Sequence, residues 1–386
     1  MVDVKKNVKE STNIVYKKVL FPKNMFEDMV EVCDDGTAHG HVLHRTRLSS
    51  CPAEYTLEME SQGREHPKHV DSYRLLPIPP GFRLAGQDVY GHTERSIVVC
   101  DGHGPNGVDM AIQAAAMASD VEEILCGPII NAYSTERDVR EVVMNRLLAA
   151  PETRSGATYV QMVFHQWRHR RWVITINVGD SEALIVDQRS VLQCSVPHNW
   201  DNYEVYRRYV STCSGTPQPV CYNRWNTGKY KMAGPDGSNE PIMLYNEEHK
   251  PHMENAMFVQ QKMARKNYPF GTQSVRMFSH PYENWGSCVC VNNRALGQLV
   301  VCYGDKDEHA ATGAPFEMVH VYIHELASDE DVSCIVQSDG VSNRMTLQEC
   351  AVRAFNRNYL PETSHDDMSV VKARWRPNTK IPYPTR

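Results

Sequence analysis

No hydrophobic run in the sequence approaches the roughly 18 to 20 residues needed to cross a bilayer, so no membrane span is expected. The opening MVDVKKNVKESTNIVYKKVL is broken throughout by Lys and Glu and lacks the apolar stretch of a secretory signal. A basic excess is missing too. With 41 Lys and Arg against 47 Asp and Glu, the formal net charge is -6, which excludes a global field for nucleic acid or an anionic membrane. Twelve cysteines in 386 residues are too dilute for a disulfide scaffold, none forms a CxxC pair, and Cys288 and Cys290 are badly spaced for zinc. They read as reduced thiols packed as small hydrophobes, which points to an intracellular, cytoplasmic chain. No internal repeat is visible, and 41% hydrophobic with 23% charged residues excludes wholesale disorder.

What is present changes along the chain. Residues 1–80 mix charge, His and scattered apolar residues, and close on Pro77, Pro79, Pro80 and Gly81, which rule out a regular helix or central strand there. They read as an N-terminal extension of unknown structure, with His39, His41 and His44 in a solvated loop. From Phe82 strands and helices are expected. Ser96–Cys100 is a buried strand, Val108–Cys126 a helix stopped by Gly127-Pro128, and a second helix starts near Thr135. Four short runs, TYVQMVFH, RWVITINV, EALIVDQ and VLQCSV, predict an antiparallel meander. In the second, Trp172, Ile174, Ile176 and Val178 alternate as on a half-buried strand. Residues 209–293, rich in Gly, Pro, Asn, Tyr and Met, read as an insertion with little repetitive structure. Strands resume at 297–303, 318–326 and 332–338. His320, Tyr322 and His324 share a face expected to be solvated. Thr346 and Glu349 form a capping box, SVVKARW is a final strand, and 376–386 is a Pro-rich tail. The pattern is α+β, sheets packed together with helices outside.

Six aspartates fall where strands end or turns begin: Asp88, Asp101, Asp180, Asp339, Asp366 and Asp367. Three precede tight-turn residues, in Asp101-Gly102-His103-Gly104, Gly179-Asp180-Ser181 and Ser338-Asp339-Gly340. A strand end is a rigid support, and Gly lets backbone approach a ligand closely. Carboxylates converging from several strand ends repel one another unless cations neutralise them, and oxygen ligands favour Mg²⁺ or Mn²⁺. Each Asp taken singly could equally cap a turn.

Taken in order, these segments resemble the metal-dependent protein Ser/Thr phosphatases of type 2C. Arg83-Leu-Ala-Gly-Gln87-Asp88 is similar to the family's opening signature, and VVCDGHG at 98–104 to its Asp-Gly-His-Gly motif. SGATYV (155–160), INVGDSEALI (176–185) and HNWDNYEVYRR (198–208) look like its next three segments. RALGQLVVCYGD (294–305), IVQSDGVSNRMTLQE (335–349) and SHDDMSVV (364–371) resemble the remaining ones. The resemblance covers 81–375, interrupted by 209–293.

It implies a central antiparallel β-sandwich flanked by helices, with two Mg²⁺ or Mn²⁺ ions at one end and a weak third metal. By position, Asp101 would bridge the metals and Gly102 would offer its carbonyl to one of them. Asp339 and Asp366 would hold the first metal, Asp88 would support the second through water, and Asp180 matches the third-metal residue. Arg83 matches the phosphate-binding Arg, and His103 the general acid. The implied activity is hydrolysis of phosphoserine and phosphothreonine in proteins by a metal-activated water, without a covalent phosphoenzyme. Gln87 stands where many members have Glu, and Asn343 where the family commonly has a second Asp. These departures motivate an alternative, a catalytically impaired phosphatase-like binding or structural module. Besides a phosphoprotein substrate, a protein partner could dock through residues 209–293.

Overall fold

The β-branched and apolar runs become strands, and their alternation sorts side chains between two facing sheets. The computed structural model describes residues 18–20, 42–46, 55–67, 69, 74–103, 106–126, 156–167, 170–196, 220–221, 276–277, 288–291, 299–302, 319–327, 329–364 and 366–378. The first strands are β1 (Lys18–Leu20), β2 (Val42–Thr46), β3 (Tyr55–Arg64), β4 (Phe82–Ala85), β5 (Asp88–His92), β6 (Ser96–Cys100) and β7 (Gly102–His103). Helices α1 (Gly107–Ala116) and α2 (Ala118–Cys126) follow. Next come β8 (Gly156–Ala157), β9 (Tyr159–Trp167), β10 (Arg170–Val178), β11 (Glu182–Val186) and β12 (Ser190–Gln193). Short strands β13 (Val220–Cys221), β14 (Arg276–Met277), β15 (Cys288–Val291) and β16 (Leu299–Cys302) lead to β17 (His320–Leu326) and β18 (Val332–Gln337). The one-turn α3 (Asp339–Ser342), α4 (Leu347–Arg353) and β19 (Met368–Pro377) complete the order.

The seven-stranded sheet runs β1-β12-β11-β18-β19-β3-β2 and the six-stranded sheet β17-β10-β9-β6-β5-β4. Smaller sheets are β16-β15-β8-β7 and β13-β14. Every pairing described is antiparallel. The two large sheets share a core of Leu57, Met59, Val99, Met162, Phe164, Val336, Val371 and Trp375. The opposite residues of the same strands face outward into helices. Val98, Cys100, Val163, Ile174 and Ile176 meet α1 and α2, while Leu184, Ile335 and Val370 meet Val341 and the α4 residues Cys350 and Ala351. The fold is therefore α+β, an antiparallel sandwich with helices on both outer faces.

Several expectations are corrected by this layering. β10 is buried on both faces after Arg170, because helices cover one side and the other sheet the second. His320 is buried, not solvated. The helix expected over 108–126 breaks at Met117, whose N–H bonds back to Ala114 O at 3.2 Å while its own carbonyl accepts from Val121 N. Residues 55–64, read as extension, form β3, paired with β19 over its whole length. The helix expected from Thr135 lies outside the described residues. So does most of 209–293, of which β13, β14 and β15 are described.

Candidate active site

Antiparallel register brings one set of strand ends together. Val89 faces Cys100, Val178 faces Tyr159, Glu182 faces Gln337, and Gln337 faces Val370. The residues just beyond these pairs are Asp88, Asp101, Asp180, Asp339, Asp366 and Asp367, so all six gather at one end of the sandwich.

Local chemistry fixes each support. Asp101 donates its N–H to Thr158 Oγ1 at 2.9 Å and accepts from Thr158 N at 2.8 Å. Thr158 Oγ1 lies 2.7 Å from Ser181 Oγ, which links this turn to the one bearing Asp180. That second turn bends at Gly179, with φ +99°, and Asn177 Nδ2 donates to Gly179 O at 3.0 Å. Asp339 opens α3, where Gly340 lies so close to the 366–367 backbone that a Cβ would collide with Asp367 O. Gly102 packs against the start of α1 in the same way. Its carbonyl oxygen stands 3.0 Å from where a Cβ on Gly107 would sit.

Two aspartates are satisfied within the protein. Asp88, 1% exposed, accepts from Ser369 Oγ at 2.7 Å. Asp367 accepts from His66 N at 2.7 Å and Gln87 N at 2.9 Å, and lies 2.7 Å from His69 Nδ1. Asp339 is only half served. Asn343 Nδ2 donates to its Oδ2 at 3.1 Å, while Oδ1 is buried with no hydrogen-bond partner.

The electrostatics follow from this crowding. Burial first, then repulsion from Asp88, Asp339, Asp366 and Asp180, pushes the Asp101 carboxyl well above the usual range. Asp180 rises through burial and Asp339, and Asp88 through burial and Asp367. Burial and Asp339 lift Asp366 to about 7. Burial also raises Asp339, opposed by a bond to the Asp101 carboxyl that exists only if one of the two keeps a proton. Among the described residues no Lys or Arg ranks among the main influences on these carboxyls, and a buried carboxylate oxygen without a donor fits a divalent cation with oxygen ligands.

No family model and no curated protein matches the chain. Solved structures similar to it include a PPM Ser-Thr phosphatase from Mycobacterium smegmatis, 12% identical over 82% of this chain and 97% of that one, TM-score 0.37. Another is a serine-threonine phosphatase 2C from Toxoplasma gondii, 12% identical over 87% and 99%, TM-score 0.36. A third is a C. elegans sex determining protein, 14% identical over 76% and 62%, TM-score 0.40. Likeness at this level does not assign the chain to a family.

The site residues expected from sequence divide into two groups. Asp88, Asp101, Asp180, Asp339 and Asp366 act on one another, and Gly102 lies beside Asp101. Arg83, half-buried on β4, pairs across to Tyr90, and its charge lowers Tyr90 against a burial that lifts it to about 12. The strongest interactions of the carboxylates are with each other, not with Arg83. His103 is described only as backbone of β7, opposite Gly156. His69 carries no signal in the sequence, and Asp367 none beyond its turn. One ligand atom from each of His69, Asp366 and Asp367 lies within 4.8 Å of the others.

Proposed function

We propose that the chain is a metal-dependent phosphoprotein phosphatase acting on phosphoserine and phosphothreonine. The observation that carries this reading is the gathering of Asp101, Asp180, Asp339 and Asp366 at one sandwich end, with Asp339 Oδ1 buried and unpartnered. Asp101, Asp339 and Asp366 would hold a pair of Mg²⁺ or Mn²⁺ ions, with Gly102 and Asp88 in support and Asp180 toward a weaker third. Bound ions supply Lewis acidity toward phosphoryl oxygen and a water acidic enough to attack at neutral pH.

The chain's own groups do the rest. Thr158 and Ser181 fix the two turns, so that Asp101 and Asp180 do not swing as charge changes beside them. Asn343 holds one oxygen of Asp339, where a second Asp would add repulsion. Arg83 serves as the guanidinium fork for the phosphate oxygens and His103 as the donor to the leaving alkoxide. The substrate is a protein side chain, and residues 209–293 contribute a partner surface.

Mn²⁺-dependent hydrolysis of p-nitrophenyl phosphate and of a phosphothreonine peptide tests the reading. Asp101→Ala is expected to lower the rate by about 10³-fold or more. No turnover with either Mn²⁺ or Mg²⁺ would sink it. A second reading, a catalytically impaired phosphatase-like binding or structural module that still holds metal, is favoured by Gln87, whose side-chain amide, beside Gly107, stands where many type 2C phosphatases have a carboxylate. Metal binding without hydrolysis is its signature.

A further inference from the structure

Asp88 opens β5 in the six-stranded sheet, while Asp339 follows β18 and Asp366 precedes β19 in the seven-stranded sheet. Two buried hydroxyls bridge that gap. Ser369, on β19, donates its Oγ–H to Asp88 Oδ2 at 2.7 Å, and Ser338, Ser369 and Asp88 are all 1% exposed or less. Ser338 stands at the N-cap of α3, where a serine side chain ordinarily accepts from a helix N–H, yet it makes no such bond. Its Oγ accepts instead from Ser369 N at 3.0 Å, and its own N donates to Ser369 O at 3.0 Å. Burial and Asp367 push the Asp88 carboxyl up, and side-chain hydrogen bonds from Ser369 and Ser338 oppose them. Both serines adjoin candidate ligands: Asp339 follows Ser338 directly, and Asp366 precedes Ser369 by three residues.

We propose that Ser338 and Ser369 are positioning residues of the metal centre, whose hydroxyls hold Asp88 across the sandwich in fixed relation to Asp339 and Asp366. This deepens the proposed function and rests on its metal pair. The Asp339 and Asp366 turns are already locked together, since Gly340 packs so close to Asp367 O that no Cβ fits between them. Asp88 comes from the other sheet, so its place depends on what crosses from one sheet to the other. A neighbouring link, Gln87 N to Asp367 Oδ2 at 2.9 Å, joins the same two segments but does not touch the Asp88 carboxylate. The serines do. They hold one of its oxygens and leave the other for the water through which Asp88 would support an ion, and groups that orient a ligand in this way tune metal affinity without binding the metal.

The test is calorimetric titration of Mn²⁺ into the full chain, beside urea denaturation of the metal-free protein. Ser369→Ala and Ser338→Ala are each expected to keep one ion at native affinity and to weaken the other by about tenfold or more. Ser369→Thr, which keeps the hydroxyl, is expected to restore it. Ser333→Ala is the comparison for a purely structural loss. Its buried Oγ donates to Ala354 O at 3.0 Å from the opposite end of β18, so this change should lower the urea midpoint and leave both Mn²⁺ affinities as they were. Ser338→Ala removes no helix cap, and it carries the test alone if Ser369→Ala does not fold. Native affinity for both ions in the alanine variants overturns the proposal, and so does an equal weakening of the two. Two ions bound without phosphate hydrolysis, one of them weakened in the alanine variants, support the serines and reject the hydrolase reading. Hydrolysis by a native chain whose alanine variants bind both ions unchanged does the reverse.

Discussion

The two ends of the sandwich solve opposite problems. At one end Arg171, the first inward residue of β10, is fully buried between the Tyr55 ring, 4.4 Å from its Cζ, and the Trp375 ring at 5.1 Å. Its Nη2 donates to Ala327 O and Glu330 O, both at 2.7 Å, and Nη1 to Trp375 O at 3.4 Å; Nε finds no partner. One cation is surrounded there by carbonyl dipoles and aromatic faces that belong to the chain. At the far end five carboxyls are pushed upward by burial and by one another, and no described Lys or Arg ranks among the main influences on any of them. The first end holds its cation with groups of the chain itself. The second has room for charge that the chain does not supply, which is what separates a site from a core.

The contrast breaks most sharply at Arg171. Replacing it with Ala removes the guanidinium donors to three carbonyls, of which Ala327 O keeps only the Glu330 N–H at 3.2 Å, and leaves a cavity between two rings; it is expected to cost about 3–5 kcal/mol. Urea denaturation would show this with or without Mn²⁺; a loss that Mn²⁺ cancels would mean the ends are not independent.

At the acidic end the pH dependence has the opposite character. Asp366 moves from an ordinary value near 3.8 to about 7 in the fold, so between those values the folded chain binds more protons than the unfolded one. Stability is full below pH 4 as far as this group is concerned, and falls as pH rises through 7. The shift corresponds to about 4 kcal/mol, which solvent screening at a side chain 32% exposed trims to roughly 2. Thermal melts of the metal-free chain across pH 5 to 8 should show the decline, and added Mn²⁺ should reverse it. A rising melting temperature over that range without metal would refute the account.

Asp339→Asn should stabilise the metal-free protein by about 1 to 2 kcal/mol near pH 7.5, since it removes one charge from the crowded group. The same change should abolish the melting-temperature response to Mn²⁺. Both signs are needed for the comparison to hold.

The smallest effect calibrates the rest. Thr346 Oγ1 accepts from Glu349 N at 3.2 Å, and Glu349 Oε2 accepts in return from Thr346 N at 2.7 Å. Thr346→Ala removes a cap whose described side-chain bonds involve none of the six aspartates, and should cost about 1 kcal/mol in the same urea series, with no dependence on metal.

The carboxylate end was legible in the sequence because each Asp follows or precedes a recognisable strand, and the strands declare themselves by β-branched runs such as Ser96–Cys100 and Val332–Gln337. The Thr346 capping box was legible for the same local reason. β3 was harder to read. Tyr55, Leu57 and Met59 do alternate with Thr56, Glu58 and Glu60, but the segment is flanked by charge and ends in Ser61-Gln62-Gly63, whose burial comes from pairing with β19. His69 carried no signal at all, since it sits in His-Pro-Lys-His without periodicity and meets its partners only through contacts with residues 366 and 367. Arg171 beside Arg170 likewise looks like a basic turn until the register sends one outward and the other between the sheets.

The placement of β19 has a consequence for biosynthesis. It lies between β18 and β3, with Met368 opposite Arg64, partners roughly 300 residues apart in the chain. A nascent polypeptide that has not yet emerged through Pro377 leaves both neighbouring strands with a bare edge, so the large sheet closes late. Asp366 and Asp367 arrive on the same segment, which means the mutually repelling acids come together only once the scaffold able to restrain them is being sealed.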